Sequence, residues 1–189
     1  MSVRNVLSCF AFLIILSSCA PKLQYAITAP FGKDVFKART GKFSGKVPEG
    51  WFTSTDTATT KSLEAWLIRN DLSAAIVFRE LQFDQAGNEF LAKQDLEDIA
   101  ELSEAFSLTD SSKLVSPSKE YSIGDYDFCS YEVKAGIATK RFVVFKTNGR
   151  FFESEASTVK GNWTPVAITE LFTVQQSVLS SLQFPKGLP

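Results

Sequence analysis

Residues 139–157 read Thr139-Lys140-Arg141-Phe142-Val143-Val144-Phe145-Lys146-Thr147-Asn148-Gly149-Arg150-Phe151-Phe152-Glu153-Ser154-Glu155-Ala156-Ser157. Two runs rich in Phe, Val and Thr flank Asn148-Gly149. That dipeptide suits a type I′ turn, which needs φ > 0 at both central positions. Thr139–Lys146 and Arg150–Ser157 are therefore predicted to be adjacent antiparallel strands. Upstream, Tyr121–Ile123 and Asp127–Lys134 have strand composition, and Ala135-Gly136 is placed to close a further hairpin. The region reads as a β-meander, entered through a Ser-rich loop from Ser111 to Ser118.

Helical spacing appears on either side of the meander. Leu91, Leu96, Ile99, Leu102 and Phe106 recur three to five apart, with Asn88 as N-cap and Lys93, Asp95, Glu97, Asp98, Glu101 and Glu104 on the rest of the wheel. After the meander, Thr164-Pro165 opens a second helix, with threonine as cap and proline in the first turn. Ile168, Leu171, Val174, Val178 and Leu182 form its stripe, which Phe172 and Leu179 widen. Nearer the N-terminus, Ser62–Arg69 and Ser73–Leu81 look like a hairpin around Asn70-Asp71. Phe43–Val47 and Trp51–Thr55 bracket a Pro48-Glu49-Gly50 turn. Sequential hairpins with only two helices predict an α+β single domain, a mostly antiparallel β-sheet sandwiched by helices.

Two short texts add a resemblance. Val47-Pro48-Glu49-Gly50-Trp51 resembles the P-x-G-W opening of the PsbP-like superfamily. Leu171-Phe172, followed by Val178-Leu179-Ser180-Ser181-Leu182-Gln183-Phe184, resembles its closing helix and S-L-x-F end. The resemblance covers about residues 43–184 and implies an α/β/α sandwich. The family's characterised members are binding or assembly factors rather than enzymes, and its bacterial lipoprotein branch fits this chain best. Metal and photosystem-binding residues of the plant members are not carried over, since those involving histidine have no counterpart here.

The N-terminus reads as an address. Arg4 precedes an apolar run from Val6 to Leu16, then Leu16-Ser17-Ser18-Cys19. A charged start, a short apolar middle and small residues make a secretory signal peptide, and the run is shorter than the ~20 residues a membrane span needs. A cysteine at the cut point resembles a bacterial lipobox. Residues 1–18 are thus expected to be the signal peptide, Cys19 to be acylated on sulfur by palmitate or a similar chain, and 19–42 to be a tether, with room for a short strand or turn near Tyr25–Phe31. The folded domain then occupies 43–189. Ala20 stands where aspartate would retain a lipoprotein at the inner membrane, which favours the outer membrane, facing the periplasm. The alternatives are an ordinary signal peptide cut near Ala20, which would discard Cys19, and a cytosolic chain with an apolar N-terminus.

Composition excludes several classes. There is no histidine, which removes Ser-His-Asp and Cys-His catalysis and histidine-ligated zinc. The formal net charge is −1 with no long run of one sign, which argues against nucleic acid as a partner. With Cys9 lost and Cys19 acylated, Cys129 is the remaining cysteine, so no internal disulfide is expected; inside a strand it reads as a buried structural thiol. No cofactor or metal is expected: Glu97 and Glu101 share a helix face at i, i+4, but no further ligand joins them. Ser116-Pro117-Ser118-Lys119 and Lys146-Thr147-Asn148-Gly149 imitate penicillin-binding motifs, but the first reads as loop and the second as a hairpin turn. Arg39-Thr40-Gly41-Lys42 lacks the glycine spacing of a P-loop.

Trp51 is expected to pack beneath the first turn and Trp66 to sit in the core. Trp163, next to Asn162 in the loop before the last helix, is open to two readings: a partner-binding anchor or a hydrophobic staple for the helix start. The functional expectation is a non-catalytic envelope lipoprotein that binds a protein partner. Either a surface including the Trp163 loop or a groove between a helix and the sheet would engage it. The alternatives are carriage of a small apolar ligand in a Phe-rich pocket and an enzyme working through a carboxylate pair alone.

Overall fold

The computed structural model describes residues 28–54, 61–82, 87, 89, 91, 93–161 and 163–185. The element order is β1 (Phe31–Lys37), β2 (Ser44–Pro48), β3 (Trp51–Thr53), β4 (Leu63–Arg69), β5 (Ala74–Glu80), α1 (Leu96–Ser107), β6 (Ser112–Ile123), β7 (Tyr126–Ala135), β8 (Ala138–Thr147), β9 (Arg150–Thr158) and α2 (Pro165–Ser180). β3 to β9 form a seven-stranded antiparallel sheet in the order β3-β4-β5-β9-β8-β7-β6, and β1 and β2 form a two-stranded one. The α+β expectation holds.

Strand alternation assigns the two faces. Ile76, Phe78, Phe128, Val143, Phe145, Phe152 and Ala156 point to one side, where α2 supplies Leu171, Val178 and Leu179, the small sheet supplies Phe36 and Val47, and Phe43 joins them from just before β2. Cys129, Tyr131, Val133, Phe142, Val144 and Phe151 point to the other, where α1 supplies Ile99 and Ala100. The β8–β9 hairpin turns at Asn148 and Gly149 with φ of 50° and 72°, as the dipeptide requires. β2 is tied to the end of α2 by paired backbone bonds between Ser44 and Gln183 at 3.0 and 2.8 Å. Gly45 permits this approach, because a Cβ there would stand 2.7 Å from the Phe36 ring.

Three local expectations change. Phe31–Lys37, inside the stretch read as tether, is β1, paired antiparallel with β2. Phe36 is its one buried residue, so no alternation announced the strand. The Ser-rich stretch is most of β6 rather than a loop. Leu114, Ser116 and Ser118 are half-buried while Lys113, Val115 and Pro117 are exposed, a period-two pattern that small serines conceal. Pro117 is tolerated because β6 is an edge strand and the register slips between Ser116 and Lys119. The first helix is divided. Leu91 is helical, a turn follows at Lys93-Gln94, and α1 restarts behind Asp95, whose carboxylate accepts from Asp98 N at 3.0 Å. The five-residue step from Leu91 to Leu96 does not keep one helical face. Phe106, placed in the apolar stripe, is 76% exposed. Asn88, read as the cap, lies outside the described residues.

Candidate functional site

A groove of about 830 Å³ runs between α2 and the β7–β8 half of the sheet. Glu132, Lys134, Thr139 and Arg141 form its floor, Ile168, Phe172 and Gln176 its helical wall, and Trp163 and Ile137 its mouth; Thr28 stands at the rim. The Trp163 loop and the helix–sheet groove, two separate expectations, are thus one place.

Each side chain is held by its element. Thr164 caps α2 by accepting from Ala167 N at 3.2 Å, which fixes Trp163 just outside the helix. Trp163 Nε1 donates to the Lys160 carbonyl at 3.0 Å, and the Arg69 guanidinium lies 5.6 Å from its ring centre. Ile168, at the fourth helical position, lines the same groove, so Trp163 stands where a staple residue would while also facing the opening. Arg141 pins the helix across the groove, donating to the Phe172 carbonyl at 3.3 Å and to Gln176 Oε1 at 3.0 Å. Glu132 is its cross-strand partner on β7. Ile137, in the β7–β8 turn, is 85% exposed. A smaller cavity of about 250 Å³ adjoins, sharing Ile137 and Trp163 with Val159 and Lys160. Exposed apolar residues of this kind, rimmed by charge, mark interaction surfaces.

The opposite face carries buried polar chemistry. On β9, Glu153 and Glu155 alternate with Phe151 and so face α1. Ser103 Oγ donates to Glu153 Oε2, and Tyr131 Oη bonds Ser103 at 2.8 Å and Ser107 at 2.9 Å. Burial pushes the Glu153 carboxyl above its usual range and raises the Tyr131 phenol as well. Glu155 is driven the other way: burial opposes its charge, but hydrogen bonds from Arg79 and Lys140 outweigh it and the carboxyl is lowered. Acids whose environments separate their protonation suit acid–base work. Here, however, Arg79 Nη1 holds Glu155 Oε2 at 2.7 Å and Lys140 Nζ holds Oε1 at 2.9 Å, so both oxygens are already engaged. The arrangement is an ion-pair clamp rather than a poised base.

Cys129 is fully buried, and burial pushes its thiol up to about 12, the inert state of a structural cysteine. Trp51 packs against the α2-face core. Trp66 packs beside Leu63, Ala75 and Val77 on the other face. Ser116 and Lys119 lie in β6 and Lys146 and Thr147 in β8, so neither penicillin-binding imitation meets a helix N-terminus. Cys19 and Asn162 lie outside the described residues. Among the described residues, no group of three or more potential ligands is placed to hold a metal, and no helix is long and apolar enough to cross a membrane.

Sequence reasoning missed Ile137, Arg141 and the Glu153–Glu155 pair. An isoleucine in a two-residue turn was a signal, since turns favour Gly, Asn and Asp. So was the alternation Phe151-x-Glu153-x-Glu155, which puts both acids on the side of a large apolar residue.

No protein-family model and no curated protein sequence matches the chain. Among solved structures it is similar to cyanobacterial PsbP (CyanoP) from Synechocystis sp. PCC 6803, with 15% identity and a TM-score of 0.50, covering 90% of this chain and 99% of that one. It is also similar to the Saccharomyces cerevisiae Ran-binding protein Mog1p, with 9% identity and a TM-score of 0.54, covering 82% and 96%. The chain has the PsbP/Mog1-like fold.

Proposed function

We propose that this chain is a non-catalytic lipoprotein of the bacterial cell envelope, anchored through Cys19 at the outer membrane and facing the periplasm, which binds a protein partner in the groove between α2 and the sheet. The observation that carries this reading is the mouth of that groove, where Trp163 and the 85%-exposed Ile137 meet above a charged floor of Glu132, Lys134 and Arg141. An aromatic anchor beside fixed charges is how a protein surface combines affinity with orientation. The groove's place on the chain also supports it. Thr28 and Ala29 dock on Ser177 Oγ at 3.4 and 3.1 Å. From Cys19 to this rim the chain extends at most about 30 Å, so an acylated Cys19 keeps the groove near the bilayer and favours a membrane-proximal partner.

The test is in-cell crosslinking of the full-length protein, affinity purification and mass spectrometry. One envelope protein should survive stringent washing, and its yield should fall at least about tenfold in Trp163→Ala or Ile137→Asp. Capture unchanged in both variants would overturn the groove. Membrane fractionation of Cys19→Ala tests the anchor: release into the soluble fraction is expected, and retention would refute acylation at this residue.

A further inference from the structure

The antiparallel order brings three connections to one end of the sheet. There the start of β5, the end of β9 and the start of β8 are neighbours, with Ala74 paired to Thr158 and Arg141 to Ala156. Each connection carries an exposed aliphatic side chain. The β4–β5 turn presents Leu72, 50% exposed, the β7–β8 turn presents Ile137, and the segment after β9 presents Val159, 61% exposed. Val159 N donates to the Ser73 carbonyl at 2.8 Å, which sets it beside the β4–β5 turn. Ile137, Val159 and Trp163 line one small cavity, and Val166 is exposed in the first turn of α2. With strands about 4.8 Å apart, the tips span roughly 15 Å.

Leu72 is held out at a conformational cost. Its φ is 59°, and among the described residues the one other non-glycine with positive φ is Asn148. Asparagine suits the left-handed region and leucine does not. The Asp71 carboxylate locks this turn, accepting from Ser73 N at 3.0 Å and Ser73 Oγ at 2.6 Å, yet half of the leucine still faces water. Cations are interleaved with the tips. Lys134 is exposed ahead of the Ile137 turn, Lys160 is exposed between Val159 and Trp163, and Arg69 lies against the Trp163 ring. Asp71 is paired with Arg69 at 3.4 Å. Glu49 and Asp110 also belong to this end, but they sit at the two edges of the sheet, before β3 and β6. The cores of protein interfaces are depleted in lysine. Aliphatic tips, a tryptophan and lysines whose stems run along apolar surface are instead the composition of a surface lying in the headgroup region of a bilayer. Separate protruding tips need no matching pocket in fluid lipid.

We propose that this end of the molecule docks on a lipid bilayer, with Leu72, Ile137, Val159 and Trp163 at headgroup depth and Lys134 and Lys160 at the lipid phosphates. The inference deepens the reading above and rests on it for the acyl chain at Cys19. The reach suffices: Ser177, which holds Thr28 and Ala29, lies about 18 Å along α2 from Pro165, and the chain from Cys19 to Thr28 extends up to about 30 Å. The α2 groove, whose mouth shares Ile137 and Trp163, then opens at the bilayer surface, and its protein partner meets it there.

The experiment uses the full chain in phosphatidylcholine nanodiscs that include phosphatidylcholine with a photoactivatable diazirine in its upper acyl chain. Labelled residues are located by mass spectrometry. Residues 70–73, 136–138 and 159–166 should carry about tenfold more label than 124–125 and 148–149, the turns at the other end of the sheet, since one aliphatic side chain moved into lipid is worth about that factor. The double variant Leu72→Asn, Ile137→Asp should lower the label on all three segments by about tenfold. Leu72→Asn alone should melt no lower than the wild type, because asparagine tolerates the left-handed backbone, so its lost label is not lost folding. Equal labelling of the two ends, label confined to other surfaces, or no change in the double variant would each overturn the proposal. So would dimers in sedimentation that the double variant dissolves, without lipid label, which would give the patch to a second copy. A chain that does not enter nanodiscs counts against the Cys19 anchor instead; vesicles carrying the same probe, added to that free chain, then decide the tips by the same pattern of label. Leu72 does not line the α2 groove, so partner capture is read separately.

Discussion

On the α2 face of the sheet, Phe78, Phe145 and Phe152 meet Phe43, the residue before β2, with the Phe43, Phe145 and Phe152 ring centres 5.3–5.6 Å apart, and Phe128 packs on Phe145. On the α1 face, the neighbouring positions of the same strands hold Glu153 and Glu155 beside Cys129, Tyr131, Phe142, Val144 and Phe151. Both faces are buried, so burial does not distinguish them; the groups buried do. Rings packed on rings gain dispersion and hydrophobic free energy without demanding exact donors. A buried carboxyl is tolerated only if its hydrogen bonds are met, and Ser103 meets that of Glu153. On α2 the rule is met in part: Gln175 Nε2 donates to the Ser154 carbonyl at 3.0 Å and its hydroxyl at 3.1 Å, while Gln175 Oε1 and Gln176 Nε2 are buried with no hydrogen-bond partner among the described residues. One face is therefore built on rings and aliphatic side chains, and the other sets buried carboxyls among its apolar side chains.

The largest effect should come from the ring cluster. Phe145 touches Phe43, Phe78, Phe128, Phe152 and Phe184, so Phe145→Ala should lower unfolding free energy by about 3–5 kcal/mol in urea titration. A loss below about 1 kcal/mol would remove the distinction between the faces. On the α1 face, Tyr131→Phe leaves Ser103 and Ser107 without their shared partner, and a loss of about 1–2 kcal/mol is expected in the same assay.

Glu153→Gln sharpens the comparison through pH. Because burial raises the native carboxyl, the folded state keeps a proton that the unfolded chain gives up. The associated stability is complete below the ordinary carboxylate range and is lost as pH rises through the raised native value. The variant, neutral at every pH, should match the wild type in acid and gain on it as pH rises toward neutral. Parallel thermal-melt profiles would show that Glu153 is not held protonated. The smallest effect belongs to Trp163→Ala, half-exposed at the groove mouth. A change in stability within about 0.5 kcal/mol, beside a large loss of partner capture, would separate recognition from folding there.

Much of the fold was legible because local signals agreed. Asn148-Gly149 dictated the hairpin, Thr164-Pro165 began α2, and the Pro48-Glu49-Gly50 turn separated β2 from β3. β1 and β6 were not legible. In β1 a single residue is buried, and in β6 small serines stand on the inward positions, so neither shows the contrast of apolar and polar that a strand reading uses. The candidate groove was legible at one residue, Trp163. Its other parts, Ile137, Arg141 and Ile168, come from a turn, a strand and a helix that no short-range pattern links.

What the sequence determined by itself was class and exclusion: an α+β chain of antiparallel hairpins and two helices, without histidine chemistry. Periodicity and turn residues act over a few positions and need no knowledge of the rest of the chain. Only the tertiary structure decided which helix covers which face. With that, Glu153 came to lie beneath α1 with its carboxyl raised, Glu155 between two cations, and Trp163 at the mouth of a groove. Those properties arise from desolvation and from charges brought close in space, and alternation along β9 is the same whichever helix lies above it.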